Sequence, residues 1–465
     1  MASRVSEVAV VGAGYVGLVT GASLARIGHR VTCVDEDGDR VAWLREGKMP
    51  FYEPGLEEMV ARGTGAGRLS FTEDLDAAVG PADVAFVAVG TPQGDDGAAD
   101  LTNVSAVARG IGRALARSGR RARPLVVANK STVPVGSGDY VSALVREGAE
   151  EAGGTGAAGE ARFGVASNPE FLREGSAVYD SLFPDRIVVG AEEAWVVEAM
   201  RALYAPVIEQ NFPVEMDPRP SVTVPFVVTD LASAEMIKYA ANAFLATKVS
   251  FVNEISDLCE LTGADVGSVA TGIGLDGRIG PRFLNAGIGW GGSCLPKDVS
   301  ALRAVAREHR HDTKLLDAAV AVNERRRDLA VSKLRDGLAT LEGRRVALLG
   351  LAFKPNTDDL REAPSLGIAA ELLSLGAEVV GYDPVAAKAA ARGAPGLRAV
   401  FDPYEALAGA HAAVVVTEWE EVRNLDLRRA ASLMREPKLL VDGRNAFAPD
   451  DARGAGLLYR GFGRG

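Results

Sequence analysis

The chain has 465 residues, 47% of them hydrophobic and 24% charged, with a formal net charge of −11. That length exceeds one ordinary core and implies two or three domains, and the composition is that of a globular chain. The negative balance argues against nucleic acid as a general partner and leaves room for a local basic pocket for phosphate.

Three cysteines, Cys33, Cys259 and Cys294, are an odd number in a long chain, so no disulfide framework is expected and a reducing cytoplasm fits best. Residues Met1 to Glu7 run almost directly into the first strand, so no signal peptide is expected. No apolar stretch reaches the ~20 residues of a membrane span, so no membrane partner is expected. The four histidines stand in no ligand spacing, and no metal site is expected.

Val8–Val11 is a short apolar run that ends in Gly12-Ala13-Gly14-Tyr15-Val16-Gly17, and a helical pattern follows from Tyr15 to Ile27. Val31–Val34 reads as a second strand ending at Asp35, eighteen residues past Gly17. Strand, glycine turn, helix, strand and acid in that order mark a dinucleotide site, where the glycine motif alone would be weak. The glycines allow a tight turn, the approach of a pyrophosphate and close helix packing, and the helix N-terminus faces the phosphates. Asp35 is expected to accept hydrogen bonds from the adenosine ribose and to repel a 2′-phosphate, favouring NAD over NADP. Arg40 argues the other way, because a nearby arginine can hold that phosphate.

Further buried-strand runs follow at Val84–Val89, Leu125–Ala128, Phe163–Ala166 and Ile187–Val189, with helical patterns between most of them. This alternation predicts a mostly parallel sheet covered on both faces, over residues 1–212. The stretch Glu147–Arg162, rich in Gly, Ala and Glu, reads as a surface loop. From Asp230, a plausible N-cap, helical sequence runs to about Thr262, where Gly263 can stop it. A helix of that length suits a connector between domains or the core of a dimer. Lys238 and Asn242 stand at i and i+4 on one of its faces, among Met236, Ile237, Tyr239, Ala240, Ala243 and Phe244. Polar groups in such surroundings need partners.

Cys294 lies in Gly291-Gly292-Ser293-Cys294-Leu295-Pro296-Lys297-Asp298. Two glycines permit close approach to the backbone, and Pro296 can open a helix that reads on from Asp298 to Glu308. The thiol would stand just before a helix N-terminus and three residues from Lys297, both of which favour thiolate. A small core cysteine is the bland alternative, and it does not fit a position between glycines and Lys-Asp. A thiol in a chain with a dinucleotide site can hold an aldehyde covalently while a second hydride leaves, which takes an alcohol to an acid. Asp298 could also be no more than a helix cap.

A further helix reads over Thr313–Leu338, and then the alternation resumes with strands at Arg345–Leu351, Glu378–Asp383, Ala413–Thr417 and Lys438–Asp442. This second α/β domain, residues 328–465, has Gly350-Leu351-Ala352-Phe353-Lys354 in place of a full glycine fingerprint, which suggests a different nucleotide-like ligand. The expected fold is therefore α/β, with two Rossmann-like open parallel-sheet domains (1–212 and 328–465) joined by a central helical domain (213–327) and its long connecting helix.

These motifs resemble the UDP-glucose/GDP-mannose dehydrogenase family along nearly the whole chain. The likeness also runs through Tyr52-Glu53-Pro54-Gly55, Lys130-Ser131-Thr132-Val133-Pro134, Asn168-Pro169-Glu170-Phe171-Leu172-Arg173-Glu174-Gly175 and Asp442-Gly443-Arg444. The resemblance implies oxidation of carbon 6 of a nucleotide sugar from alcohol to carboxylate with two NAD and one water. It implies that Cys294 carries a thiohemiacetal and then a thioester. Lys238 would stabilise charge on the substrate oxygen, Asn242 would orient the reacting carbon's oxygen and a water, and Asp298 would join their proton network. Thr132 would position a water near the nicotinamide and Glu170 would act as general base. On the cofactor side it places Tyr15, Val16, Arg40, Thr91, Pro92, Thr132, Glu174, Lys297 and Arg361. On the substrate side it places Phe171, Leu172, Arg173, Glu174, Phe283, Gly291, Phe353, Lys354 and Arg444. Arg278 matches an arginine that enters the neighbouring subunit's site, implying a homodimer or a higher homo-oligomer.

Asn285 and Leu295 depart from the animal members of the family, which carry lysine and phenylalanine there, so the base stays open among UDP, dTDP and GDP. Glu170–Asp185 and Thr229–Lys248 resemble the branch acting on UDP-glucose. Two rival readings are a two-electron dehydrogenase, which has no use for Cys294 or for a second nucleotide-like domain, and a non-catalytic NAD-binding sensor or scaffold.

Overall fold

The computed structural model describes residues 5–118, 123–153, 162–213 and 223–464. The chain divides into two compact units, Met1–Ala240 with Ser300–Val305, and Ala241–Val299 with Ala306–Gly465.

The first unit holds strands β1 (Glu7–Val11), β2 (Arg30–Val34), β3 (Leu69–Thr72), β4 (Val84–Val87), β5 (Leu125–Asn129), β6 (Phe163–Ser167), β7 (Ile187–Gly190) and β8 (Phe226–Thr229), in spatial order β3-β2-β1-β4-β5-β6-β7-β8. The pairings are parallel except for β6 with β7, which meet antiparallel at Ser167 and Gly190. The second unit holds β9 (Arg345–Leu349), β10 (Glu378–Tyr382), β11 (Arg398–Val400), β12 (Ala412–Val415), β13 (Leu439–Asp442) and β14 (Leu458–Arg460), ordered β11-β10-β9-β12-β13-β14 and all parallel. In each sheet the first strand is central and the order reverses beside it. A crevice at the strands' carboxyl ends is the binding place of such sheets.

Alternation along the central strands explains why both faces are covered. Val8 and Val10 of β1 enter one core and Ala9 and Val11 the other. In the second sheet Ala347 and Leu349 separate from Val346 and Leu348 in the same way. Strands buried on both faces must be apolar throughout, and that made them legible. The outer strands differ: β8 is apolar yet exposes Val227 and Val228, while β11 and β14 have three residues each.

The long helix runs Leu231–Thr262, with the Asp230 carboxylate accepting the Ser233 N–H at 2.7 Å and Gly263 beyond its end at φ +77°. Helices Val266–Gly274, Leu295–Glu308 and Lys314–Leu338 complete the central region. Among the described residues no helix is long and apolar enough to cross a membrane.

The expected loop at Glu147–Arg162 is corrected in its first part. The helix Ser137–Gly153 runs through Glu147 to Gly153, and 154–161 lie outside the described residues. Small residues there serve helix packing. A Cβ on Gly148 would stand 2.1 Å from the Arg109 carbonyl oxygen, and one on Gly112 would stand 2.0 Å from that of Val145. Arg109 and Arg113 of the helix Thr102–Arg117 meet Glu147 and Glu151 at 3.1 and 3.2 Å. Gly148→Ala therefore forces two backbones apart and should lose at least the ~1–3 kcal/mol typical of overpacking. A thermal melt unchanged from that of the parent would show that the two helices are not held this closely.

Candidate active site

The glycine loop of the first unit divides its tasks as the spacing requires. Gly12 has φ +101° and a Cβ there would lie 2.5 Å from the Ala88 carbonyl oxygen, so only glycine makes this turn. A Cβ on Gly17 would lie 1.8 Å from the Gly12 oxygen, which presses the helix Tyr15–Arg26 onto the strand end. Nothing stands within 4 Å of a Cβ on Gly14, at the N-cap of that helix, leaving the open approach a pyrophosphate needs.

Asp35, buried at the end of β2, accepts the Ala13 N–H at 2.7 Å and the Asp37 N–H at 3.1 Å. Arg40 meets it at 3.0 Å and Asp37 at 3.6 Å. The arginine that a 2′-phosphate would need is thus flanked by two carboxylates that repel one, and the loop fits NAD.

Tyr15 donates to Glu53, whose carboxylate also accepts the N–H groups of Gly175 and Ala177 at 2.6 and 2.8 Å. Burial, the Glu53 hydrogen bond and the charges of Glu53 and Glu174 push the Tyr15 phenol far above its usual range. One carboxylate ties the glycine loop to the segment that follows β6. Val16 is half-buried on the same helix. Beyond β4, Thr91 donates to the Thr132 carbonyl at 2.8 Å and Ser131 donates to that of Val89 at 2.7 Å, fixing the turn after β5; Pro92 is exposed beside it.

Glu170 and Lys238 form a buried ion pair at 2.9 Å, and the Leu172 N–H donates to the other Glu170 oxygen at 2.5 Å. Burial alone would raise the Glu170 carboxyl. Lys238, the Leu172 N–H and Lys130 outweigh it and hold the group below its ordinary value. The Phe171 ring lies 5.6 Å from the Lys238 ammonium and 3.7 Å from the Arg186 guanidinium. Arg173 is committed to Asp180, at 2.5 Å from its guanidinium and 2.9 Å from its N–H. Glu174 is buried and Leu172 half-buried.

In the second unit, Cys294 immediately precedes the helix Leu295–Glu308, and its carbonyl accepts the Asp298 N–H at 3.0 Å. The helix opens at Leu295, three residues before the expected start. Asp298 is buried, accepting the Asn242 amide at 2.6 Å on one oxygen and the Lys297 ammonium at 2.6 Å on the other. Cys294 is partly exposed, with its sulfur 3.6 Å from the Ser293 hydroxyl.

The loop before the thiol is pinned from three sides. Gly287 donates to Asn253, Trp290 donates to Asn323 and through its indole to Ser250, and the Ile288 N–H donates to Gly443. A Cβ on Gly287 would lie 2.3 Å from the Gly443 oxygen, one on Gly291 2.1 Å from the Glu362 oxygen, and one on Gly292 2.6 Å from the Phe353 ring. Asp442 accepts the N–H groups of Arg444, Ala446 and Phe447, turning the chain so that Arg444 donates to the carbonyls of Val416, Gly289 and Phe353 at 2.7, 3.0 and 3.3 Å. Lys354 stands 5.4 Å from the Phe353 ring. Phe283 is half-buried at φ +65°.

Arg278 stands apart on the surface, paired with Asp276 at 2.6 Å with its side chain 90% exposed, whereas the Arg361 carbonyl accepts the Gly292 N–H at 3.0 Å while its exposed guanidinium pairs with Asp359 at 2.8 Å. Among the described residues no group of three His, Cys, Asp or Glu could hold a metal ion.

Two residues of evident consequence were not singled out from the sequence as site residues. Lys130 is buried against Asn168 and Tyr204. Glu235, one turn before Lys238, accepts the Gly136 and Gly138 N–H groups at 2.7 and 2.8 Å. A charged residue on the apolar side of the long helix was the available signal for Glu235.

Three family models match the chain in order. They are the NAD-binding domain of the UDP-glucose/GDP-mannose dehydrogenase family at residues 6–208, its central domain at 232–325 and its UDP-binding domain at 347–449. A UDP-glucose 6-dehydrogenase of Bacillus subtilis is 43% identical over 459 residues, covering 98% of each chain. Another, of Pseudomonas aeruginosa, is 46% identical over 462 residues, covering 98% of this chain and 97% of the relative. The structure of a UDP-glucose dehydrogenase from Pyrobaculum islandicum superposes with a TM-score of 0.88 at 39% identity, covering 100% of this chain and 99% of that one.

Glu235 sets a pH dependence of stability. Burial pushes its carboxyl up to about 7 from 4.5, against the backbone N–H groups that lower it. A carboxyl raised on folding contributes stability that is complete below its unfolded pKa and is lost as pH rises through the folded one. Relative to Glu235→Gln, which cannot titrate, the parent should lose thermal stability between about pH 4.5 and 7.5. Parallel melting curves across that window would contradict this. In the glycine loop, Gly14→Ala should melt like the parent while binding NAD more weakly, and Gly17→Ala should melt lower; equal melting of both variants would refute the division of tasks.

Proposed function

This chain belongs to the UDP-glucose/GDP-mannose dehydrogenase family, and we propose that it oxidises carbon 6 of UDP-glucose from alcohol to carboxylate through a thiohemiacetal and a thioester on Cys294. It is an NAD-dependent nucleotide-sugar dehydrogenase. Bound NAD supplies the hydride acceptor at each of the two oxidations. The observation that carries the mechanism is the position of Cys294, before a helix whose first turn holds a buried Asp298 paired to Asn242 and Lys297.

In the first oxidation the hydroxyl proton passes to a base as hydride leaves, giving the aldehyde. Lys238 stabilises the developing negative charge on the oxygen. The Cys294 sulfur then adds to the aldehyde carbon, at the positive end of the helix dipole. Loss of the second hydride leaves a thioester, and water releases the acid and regenerates the thiol. Glu170, held anionic by Lys238, serves as general base, and Thr132 positions water. Asn242 and Asp298 orient the oxygen at the reacting carbon and move the proton. Covalent attachment keeps the aldehyde from escaping, and thioester hydrolysis makes the reaction effectively one-way.

We assign 1–212 to NAD binding, 213–327 to the centre and to assembly, and 328–465 to the nucleotide sugar, with Phe353, Lys354 and Arg444 on the substrate. Phe171 to Glu174 and Phe283 face the sugar, and Lys297 and Arg361 the cofactor. The match to relatives that act on UDP-glucose favours that substrate over dTDP-glucose and GDP-mannose. Phe244, Phe251, Leu258 and Leu261 are exposed at heptad-like spacing on the long helix, which supports a homodimer, with Arg278 reaching the partner's site. Three free cysteines suit a cytoplasmic setting.

With UDP-glucose and NAD the enzyme should release two NADH per sugar, and NADP should be far poorer; a ratio of one would refute the four-electron mechanism. Arg278→Ala should lose UDP-glucose binding and keep NAD binding. Mixed with Cys294→Ala under conditions where subunits demonstrably exchange, it should regain activity. No recovery would show that Arg278 does not act across an interface.

A further inference from the structure

Lys130 directly follows β5, which ends at Asn129, and opens the turn that carries Thr132. Its ammonium is buried and donates to the Asn168 side-chain oxygen at 3.0 Å and to the Tyr204 hydroxyl at 3.3 Å. Tyr204 donates to the same Asn168 oxygen at 2.7 Å, and the Asn168 amide donates to the Val188 carbonyl at 2.7 Å. The rings of Phe86 and Tyr204 lie 5.9 and 5.7 Å from the ammonium. None of these partners carries negative charge. A cation kept in a dry site without a contacting counter-ion is unfavourable, and burial draws this ammonium down to about 8, with Glu170 opposing and Lys238 adding to the effect.

The nearby carboxylate is Glu170, two residues past Asn168. It touches Lys238 at 2.9 Å and feels Lys130 without touching it. Glu170 thus has a contacting cation from the long helix and a second, non-contacting one from the turn after β5. The other groups at this cluster are the Tyr204 phenol from the helix Ala194–Ile208 and Arg186, stacked on Phe171.

We propose that Lys130 is a positioning residue for the oxidation: a clamped, buried cation that acts through space on Glu170, keeping its carboxylate anionic and ready to take a proton, and that ties the strand end bearing Thr132 to the one bearing Glu170. Lys238 cannot fill this role alone, because its charge is also needed at the substrate oxygen; Lys130 is instead clamped by Asn168 and Tyr204. The proposal rests on the reading of Glu170 as general base.

The test is the pH dependence of kcat and of kcat/KM, between about pH 4 and 9.5 with UDP-glucose and NAD, for the parent, Lys130→Met, Lys130→Gln and Glu170→Gln. Lys130→Gln keeps a donor for Asn168 without the charge, and guards against a methionine variant that fails to fold; melting and NAD binding are measured on each. Removing a neighbouring cation raises a carboxyl, so the acidic limb should move up by about one pH unit or more in both Lys130 variants. On that acidic limb kcat should fall roughly tenfold, and it should recover toward the parent at neutral and higher pH, with KM for NAD little changed. Glu170→Gln should lack that limb. A limb that stays in place while kcat drops equally at every pH would make Lys130 merely structural, and an unchanged kcat would remove it from the reaction; either overturns the proposal. A limb that persists in Glu170→Gln would instead overturn the general-base reading.

Discussion

One helix commits its polar side chains inward, and most of what positions the reacting groups follows from that. Leu231–Thr262 crosses the boundary of the two units between Ala240 and Ala241. In the first unit its Glu235 receives the N–H groups of Gly136 and Gly138 and its Lys238 takes Glu170. In the second its Asn242 takes Asp298, Ser250 takes the Trp290 indole, Asn253 takes the Gly287 N–H and Asp257 takes Arg326. Arg326, itself buried, also donates to the carbonyls of Asn253 and Gly287 and to Ser256. Buried polar groups hold geometry only when they are satisfied, and here their partners are the loops and strand ends that carry the chemistry.

The two sheets share a winding and differ in what they leave available. In both, an acid ending the second strand holds the loop that follows the first: Asp35 takes the Ala13 N–H, and Asp383 takes those of Leu351 and Ala352. Asp383 is fully buried and also accepts from Val385, Ala386 and the Trp419 indole, which exhausts its acceptor capacity. Asp35 is less committed and stands by the open side of Gly14, where a ribose and pyrophosphate can be received. The same fold thus offers a dinucleotide site at one end of the chain, while at the other the fingerprint is replaced by Phe353 and Lys354.

What was legible in the sequence followed from physics that acts locally. Two-sided burial makes central strands apolar throughout, so β1, β4, β5, β9, β12 and β13 could be read. The ends of the long helix were marked by Asp230 and Gly263, and the start of the helix after Cys294 by Pro296. Outer strands such as β11 and β14 carry no such run. The Glu147–Gly153 segment misled because glycine and alanine serve a close helix crossing as readily as a loop, and only the facing Arg109 and Val145 backbones decide between them. Lys130 and Glu235 were missed as site residues for a related reason. Their partners, Asn168 and Tyr204 in one case and two backbone N–H groups in the other, lie 38 or more residues away in sequence, so nothing beside them announces a buried charge.

Covalent chemistry at Cys294 is the claim on which the functional account turns. Cys294→Ser gives the most direct access to it, since an oxygen ester hydrolyses more slowly than a thioester and should accumulate. After incubation of that variant with UDP-glucose and NAD, peptide mass spectrometry should find the glucuronyl nucleotide esterified to residue 294, with little free acid formed. A folded Cys294→Ser protein that carries no adduct and still makes acid at near the parent rate would contradict the account.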